Sequence, residues 1–491
     1  MKKILISVAL IVPVLWAGVT WFTSIKTEEV FDEMLTESNQ KLMESFPFVK
    51  VEKQSFEKGF TSSTAKSTIT LNSEIFEYEE EPLKLVMNHT IYHGPVMMTP
   101  NGMKTGTSYV RTTLDQTSLP AEIKDLVKLL FEGKEPIVSG IQAGVGGNVD
   151  VDMEIAPLSF DAKKHTALTG EEPDSGDPEL ISFAGMTGHF TTNTEGTRLN
   201  GTMNIGALEM KGKEDGKDIV MTMAPSVADM DVDELYKGTI LDGSVVMKIP
   251  EFVFSDGKGS DVTFHGLTVV SKADQDGDKF GGVGSFDVDK LLVQAPDSPI
   301  QFPESKVHLS FGVKGFDRDA VIKLVDLGQE MRSSQFALFG NDDPEQLGEA
   351  MIQSMGAYYT ALGATIKQGV GINTDFELSN DTGKSALNLD LNYAEAKQLF
   401  DLKTIRDVIM ALQGQLKISI DKGMIAGTPA EEAIGMPVAM GFAVDKGEAY
   451  EAVADLGSGE LKVNGEPMPI LDMLGGMVDQ PIPWEMIMSS Q

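Results

Sequence analysis

Val149-Asp150-Val151-Asp152-Met153-Glu154-Ile155 puts an apolar residue at every odd position and a carboxylate at every even one. A period of two belongs to the β-strand, whose successive side chains point to opposite faces. The stretch therefore predicts a strand with one apolar and one acidic face. Working outward, similar alternation marks Thr68-Ile69-Thr70-Leu71, Gly201 to Ile205, Gly243 to Met247, Val262 to Phe264, Val307 to Phe311 and Leu387 to Leu391, with Gly, Asn and Asp clusters between many of them. Such spacing predicts antiparallel meanders joined by hairpins, and 49 glycines suit so many turns. The tail repeats the theme: Tyr450, Ala452, Ala454 and Leu456 precede Gly457-Ser458-Gly459, and Leu461 and Val463 follow. No fixed period relates the stretches, which argues against a repeat array.

Elsewhere the period changes. Between residues 317 and 369, Val321, Ile322, Leu324, Val325 and Leu327, then Leu347, Met351, Ile352, Met355, Tyr358, Tyr359 and Leu362, keep helical spacing. Asp343 before Pro344 gives the second helix a cap and a preset first residue. Residues 393 to 413 predict a further helix, with Leu399, Phe400, Leu402, Ile405, Val408, Ile409 and Leu412 on its apolar side. The expected class is α+β, predominantly antiparallel β, a long meandering sheet with a helical cover in the C-terminal half.

Ile4 to Phe22 is a run of 19 residues without a charge. At about 1.5 Å per residue it is about 28 Å long, close to the hydrocarbon thickness of a bilayer. Lys2 and Lys3 precede it, which predicts a cytoplasmic N-terminus and an exported remainder. A cleaved leader would carry a shorter apolar core and small residues before the cut; Trp16-Ala-Gly-Val-Thr-Trp21 is a poor match. Phe31, Met34, Leu35, Leu42 and Met43 then recur at helical spacing before Pro47. The organisation so read is a transmembrane anchor (1–22), a stalk helix (23–47), a β-rich exported domain (48–316) and a mixed helix and strand region completing that domain (317–491). The expected location is the bacterial inner membrane, crossed once, with the bulk of the chain periplasmic.

With 74 acidic against 40 basic residues the formal net charge is −34, which opposes nucleic acid by charge alone. The absence of cysteine removes disulfides, thiolate metal sites and a lipid-modified cysteine. Chemistry-bearing motifs fail on their spacing. His89 and His93 stand four apart but in strand alternation, which sets their α-carbons about 13 Å apart, too far for one metal. In Asp274-Gln-Asp276-Gly277-Asp278 the glycine comes too early for a calcium loop. Gly383-Lys384-Ser385 lacks the first glycine of a phosphate loop, since Leu378 holds that place, and Gly144-Val-Gly146-Gly147 reads as a turn. No nucleophile elbow or zinc-protease helix occurs. The acid stripe Asp150, Asp152, Glu154 reads as a solvated face.

Three short blocks carry a family resemblance. They are Phe56-Glu-Lys-Gly59-Phe60-Thr-Ser62-Ser63-Thr-Ala65, His89-Thr-Ile91-Tyr-His93-Gly94-Pro95, and Gly459-Glu-Leu461-Lys-Val463-Asn464-Gly465-Glu-Pro467-Met-Pro469. In order along the chain they resemble the YdgA-like family of bacterial envelope proteins, whose domain is of unknown function. Phe56 departs from a common tyrosine there, and both fill an aromatic slot. The resemblance implies one membrane anchor, a periplasmic β-rich domain and no agreed activity, with Phe56, Gly59, Phe60, Ser62, Ser63, His89, Ile91, His93, Gly94, Pro95, Leu461, Asn464, Gly465 and Pro467 as family positions of unassigned role.

The functional expectation is a non-enzymatic binding or scaffolding surface with lipid as a candidate ligand. No cofactor is expected. The partners expected are the membrane through the N-terminal helix, lipid or another envelope protein, or a second copy in a homodimer. A carboxylate-dependent periplasmic hydrolase is one alternative and predicts a pocket with a raised carboxyl pKa. A structural subunit of an envelope complex is the other.

Overall fold

The computed structural model describes residues 27–33, 35–36, 39, 49–71, 82–100, 102–144, 146–172, 178–214, 216–295, 302–338 and 344–484. The expected membrane span over 1–22 lies outside them, as does Asp343. Among the described residues no helix is long and apolar enough to cross a membrane. The chain forms two compact units. The first comprises Met1–Asp174, Pro178–Ala207 and Gln329–Leu347, and the second Ser175–Asp177, Leu208–Gly328 and Gly348–Gln491.

The first unit opens with helix α1, of which residues 27–33, 35–36 and 39 are described. Its strands are β1 (Val49–Glu57), β2 (Ser62–Leu71), β3 (Leu83–His93), β4 (Val96–Thr99), β5 (Gly102–Thr105), β6 (Ser108–Leu114), β7 (Ile137–Ala143), β8 (Asn148–Ile155), β9 (Leu158–Asp161), β10 (Pro178–Phe183), β11 (Met186–Asn193) and β12 (Leu199–Ile205). Helix α2 (Ala121–Leu130) precedes β7 and α3 (Ala162–Thr169) follows β9. The antiparallel ladder runs β1-β2-β3-β6-β7-β8-β11-β12. β9 pairs with β10, and β4 with β5 in a hairpin of their own.

The Val149–Ile155 alternation does form a strand, and its acids face polar cross-strand partners. Asp152 accepts from His189 Nδ1 at 2.8 Å and meets Lys104 at 3.5 Å, and Asp150 accepts the Thr191 hydroxyl at 2.9 Å. Helix α1 falls within the expected stalk (23–47). It lies along the sheet, because Phe31 and Leu35, one turn apart, pack on Ala65, Ile91, Phe56 and Val110.

The second unit contains β13 (Leu208–Glu214), β14 (Lys217–Met223), β15 (Ser226–Tyr236), β16 (Thr239–Ser255), β17 (Asp261–Asp276), β18 (Lys279–Gln294), β19 (Phe302–Asp317), β20 (Gly371–Asn380), β21 (Gly383–Tyr393), β22 (Leu412–Asp421), β23 (Val444–Asp445), β24 (Ala449–Gly457), β25 (Glu460–Val463) and β26 (Glu466–Met468). From β15 to β26 they pair antiparallel in chain order, except that β22 goes directly to β24 and the short β23 attaches to β24. β14 extends the same edge, on the outer half of β16.

The expected helices after residue 317 form as α4 (Arg318–Leu338) and α5 (Pro344–Thr365). Asp326 of α4 accepts the Tyr236 hydroxyl at 2.9 Å and pairs with Lys237, and Arg318 bonds Glu234. The helix expected over 393–413 is corrected: only α6 (Ile405–Ala411) and one 3-10 turn, Leu399–Asp401, are helical. Two contacts break it. Thr404 and Asp407 cap a new helix start reciprocally, and the Leu402 carbonyl accepts the Trp484 indole N–H at 2.6 Å, a partner 82 residues away.

Candidate functional site

Blocks one and two of the sequence come together in the first unit. Strands β2 and β3 pair with Ser63 opposite Ile91 and Ala65 opposite His89. Ser63, Ser67, His89 and His93 therefore share one face, each serine diagonal to a histidine. Ser63 Oγ lies 2.8 Å from His93 Nε2, and Ser67 Oγ 2.8 Å from His89 Nε2. The second nitrogen of each ring is also engaged: His93 Nδ1 with Thr27 of α1 at 3.2 Å, and His89 Nδ1 with Thr112 of β6 at 2.9 Å. The Gly59 N–H donates to Ser63 Oγ at 3.2 Å. One arrangement serves the whole chain of groups, with Ser63 accepting from Gly59 and donating to Nε2 while Nδ1–H donates to Thr27.

A serine beside an imidazole is also the start of a nucleophile and base pair. Here Ser63 and His93 are each 1% exposed, and the group orienting the imidazole is a hydroxyl rather than a carboxylate. Burial holds His93 below the usual histidine range and takes His89 to about 4, so both rings are neutral near pH 7. Phe31 closes the cluster, its ring 5.3 Å from His89 and edge-on. The geometry is that of a satisfied buried polar network under a helix.

The remaining family positions fall in turns and paired strands. A Cβ on Gly59 would fall 1.9 Å from the Ser62 carbonyl oxygen, so no other residue fits that turn. Gly94, at φ +105°, turns the chain from β3 into β4 beside Pro95. Ile91 is buried in the α1 cluster with Phe56 against it, Ser62 pairs across from Tyr92, and Phe60 is exposed. In the second unit Asn464 and Gly465 both have positive φ and join β25 to β26. The Asn464 side chain accepts from Val453 N–H at 2.9 Å and donates to the Gly441 carbonyl at 3.0 Å. Leu461 pairs with Leu456, and Pro467 with Lys462.

The most extensive unassigned feature is one face of the second unit's sheet. Register alone aligns Ala228, Met247, Val269, Phe286, Leu309, Phe376, Leu387, Ile418 and Ala452 in one row across nine strands. At about 4.8 Å per strand the row is about 38 Å long. The next row on the same face runs through Val245, Ser271, Gly284, Phe311, Thr374, Leu389, Leu416 and Ala454. The opposite face carries Asp287, His308, Glu377, Ala386 and Ser419 at neighbouring positions. The face is not closed at its centre: Phe311 is 52% exposed and Leu309 43%, and Val269 and Phe376 are exposed too. Beside them Ser271, Ala273, Gly284, Phe311 and Val313 line a groove of about 460 Å³, within the size range of small-molecule sites. None of these residues belongs to a sequence block. Their signal is only visible once the register is known.

A second concavity, of about 730 Å³, is lined by Asp390, Asn392, Gln413, Gln415, Asp455, Glu460 and Lys462. Its carboxylates are already engaged: Lys314 binds Asp390 at 3.1 Å, and Gln415 donates to Asp455. Elsewhere, three carboxyl groups are held below their usual range. A Lys66 hydrogen bond draws Asp115 below the usual range, as Lys367 does Asp317 and Arg406 does Asp479. Among the described residues no group of three or more His, Asp or Glu side chains is placed to hold a metal ion.

Comparison with known proteins adds a family. The description "Bacterial protein of unknown function (DUF945)" matches residues 1–470. Protein YdgA of Escherichia coli (strain K12) is 24% identical over 448 residues, covering 86% of this chain and 82% of that protein. The uncharacterized protein YihF of the same organism is 22% identical over 230 residues, 46% of this chain and 42% of that protein. No solved structure matches.

Proposed function

The chain belongs to the DUF945 family of bacterial proteins of unknown function, and from that premise we propose that it is a membrane-anchored, periplasmic binding protein whose second unit takes a lipid acyl chain on its apolar sheet face. The observation that carries this reading is the open centre of this face, where the apolar row through Leu309 and the neighbouring Phe311 stand half exposed. Apolar side chains that share one sheet face and remain half exposed lower their free energy when an apolar ligand replaces water, by roughly 25 cal/mol per Å² covered. A row of about 38 Å is longer than one leaflet of a hydrocarbon core whose full thickness is about 30 Å, so a single acyl chain fits along it. The anchoring part of the reading rests on Ile4–Phe22 and on Lys2 and Lys3 before it.

The chemistry favours binding over hydrolysis. The serine and histidine pair is shut away from water, and the carboxyl groups described above are stabilised as anions rather than held protonated for acid catalysis.

The test is lipid extraction and native mass spectrometry of the full chain, purified from its own membrane in mild detergent, beside a variant carrying Leu309→Asp and Phe311→Asp. The expected result is stoichiometric lipid on the natural chain and at least tenfold less on the variant. Equal lipid on both, or none on the natural chain, overturns the reading.

A further inference from the structure

The β4–β5 hairpin of the first unit stands apart from the main ladder and presents apolar side chains to solvent. Its register sets Met98 opposite Met103 and Val96 opposite Thr105, so Val96, Met98 and Met103 share one face. Met98 is 76% exposed and Met103 67%, while Met97 on the other face is buried and roots the hairpin.

The charge of the segment that carries it is unlike the rest of the chain. Between Glu81 and Asp115 lie 33 residues with no carboxylate and with Lys84, Lys104 and Arg111, where the chain's average of 74 acids in 491 residues would place about five. Lys104 of the hairpin reaches Asp152 at 3.5 Å, and its ammonium lies over the Tyr109 ring. A surface of bacterial phospholipid, carrying net negative charge, repels most of this chain and does not repel this segment.

The chain path supplies the position. Thr27 is hydrogen-bonded to His93, and Val96 follows three residues later. Phe22, the last residue of the uncharged run, is five residues before Thr27, so chain length alone limits the separation of their α-carbons to about 18 Å. From these three observations we infer that the β4–β5 hairpin dips into the lipid headgroup and acyl boundary beside the N-terminal run, with Met98 and Met103 as its apolar tip. The inference rests on the anchoring half of the proposal above and is independent of the acyl-chain face.

The chain has no cysteine, so Met98→Cys, Met103→Cys and, as a control in the other unit, Met436→Cys each give one site for an environment-sensitive fluorophore. Met436 is 71% exposed, like the tip residues. The full-length chain is reconstituted into vesicles of phosphatidylethanolamine and phosphatidylglycerol, floated on a density gradient, and probed with spin-labelled lipid and with aqueous iodide. The inference expects label at 98 and 103 to be quenched by the lipid at least twofold more than label at 436, and to be shielded from iodide. A chain that floats while all three labels respond alike overturns the hairpin inference alone. Label shielded from both quenchers marks a protein neighbour and also overturns it. A chain that does not float overturns the anchor reading and the hairpin inference together.

Discussion

In the first unit the sheet face carrying His89 and His93 lies beneath Phe31, while in the second the row through Leu309 and Phe376 stands half open to water. Both faces come from the same alternation and the same antiparallel pairing. They differ in what the row positions hold. Imidazoles and hydroxyls within a half-buried face need a partner for each polar atom, and closing them under a helix is stable only because Ser63, Ser67, Thr112 and Thr27 complete the bonds. A row of Met, Val, Phe, Leu and Ile makes no such demand. It can be left open to accept a ligand without stranding a donor or acceptor. Imidazoles and hydroxyls in a sheet face therefore go here with closure under a helix, and the apolar row with exposure.

The comparison can be broken most sharply at Phe31. Phe31→Ala removes the ring that roofs His89, and about 3 to 5 kcal/mol of packing goes with it. Hydrogen exchange on the full chain should then show the β2 and β3 amides opening at least a hundredfold more readily. Unchanged protection there would mean that α1 does not close this face.

Acidification attacks the same face more gently. Burial lowers the His89 pKa to about 4, from an ordinary value near 6.5. Between those values the unfolded chain binds more protons than the folded one, so stability falls as the pH falls. The contribution is complete above about pH 6.5 and is lost progressively toward pH 4. From pH 7 to pH 5 the loss at His89 amounts to about 2 kcal/mol, and His93, lowered by burial too, acts in the same direction. Denaturant titrations of the natural chain and of His89→Gln at both pH values check this, since the variant should lose less on acidification.

The smallest effect is expected on the open face. Phe311→Ser removes a side chain that is already 52% exposed, so global stability should change by less than about 1 kcal/mol, by the same titration, even as lipid retention drops. A loss several times larger would show that Phe311 is core, and the contrast between the two faces would disappear.

Much of the fold was legible locally. The alternations at Val149–Ile155, Val307–Phe311 and Leu387–Leu391 became β8, β19 and β21, and Asp274–Asp278 became the end of β17 with its hairpin turn at Gly277 and Asp278. Pro344 begins α5 as its preset backbone angle favours. The 393–413 stretch misled because its apolar spacing is helical while its ends are governed by a distant indole and a local cap. At the site, Ser63 and His93 stood in recognised blocks, while Thr27 carried no signal and Phe31 only that of an apolar helix face, which announces nothing about the strand it will cover.

What the sequence determined by itself is whatever depends on neighbours along the chain: the strands, their turns, the helix starts, the acidic charge and the uncharged run at the N-terminus. Which face closes and which stays open was decided only by tertiary structure. Register carried across successive strands aligns Met247 with Val269, Phe286, Leu309 and Phe376, and the packing of α1 brings Phe31 to His89. Burial and hydrogen-bond satisfaction are properties of such pairs, and no local pattern of one residue type records them.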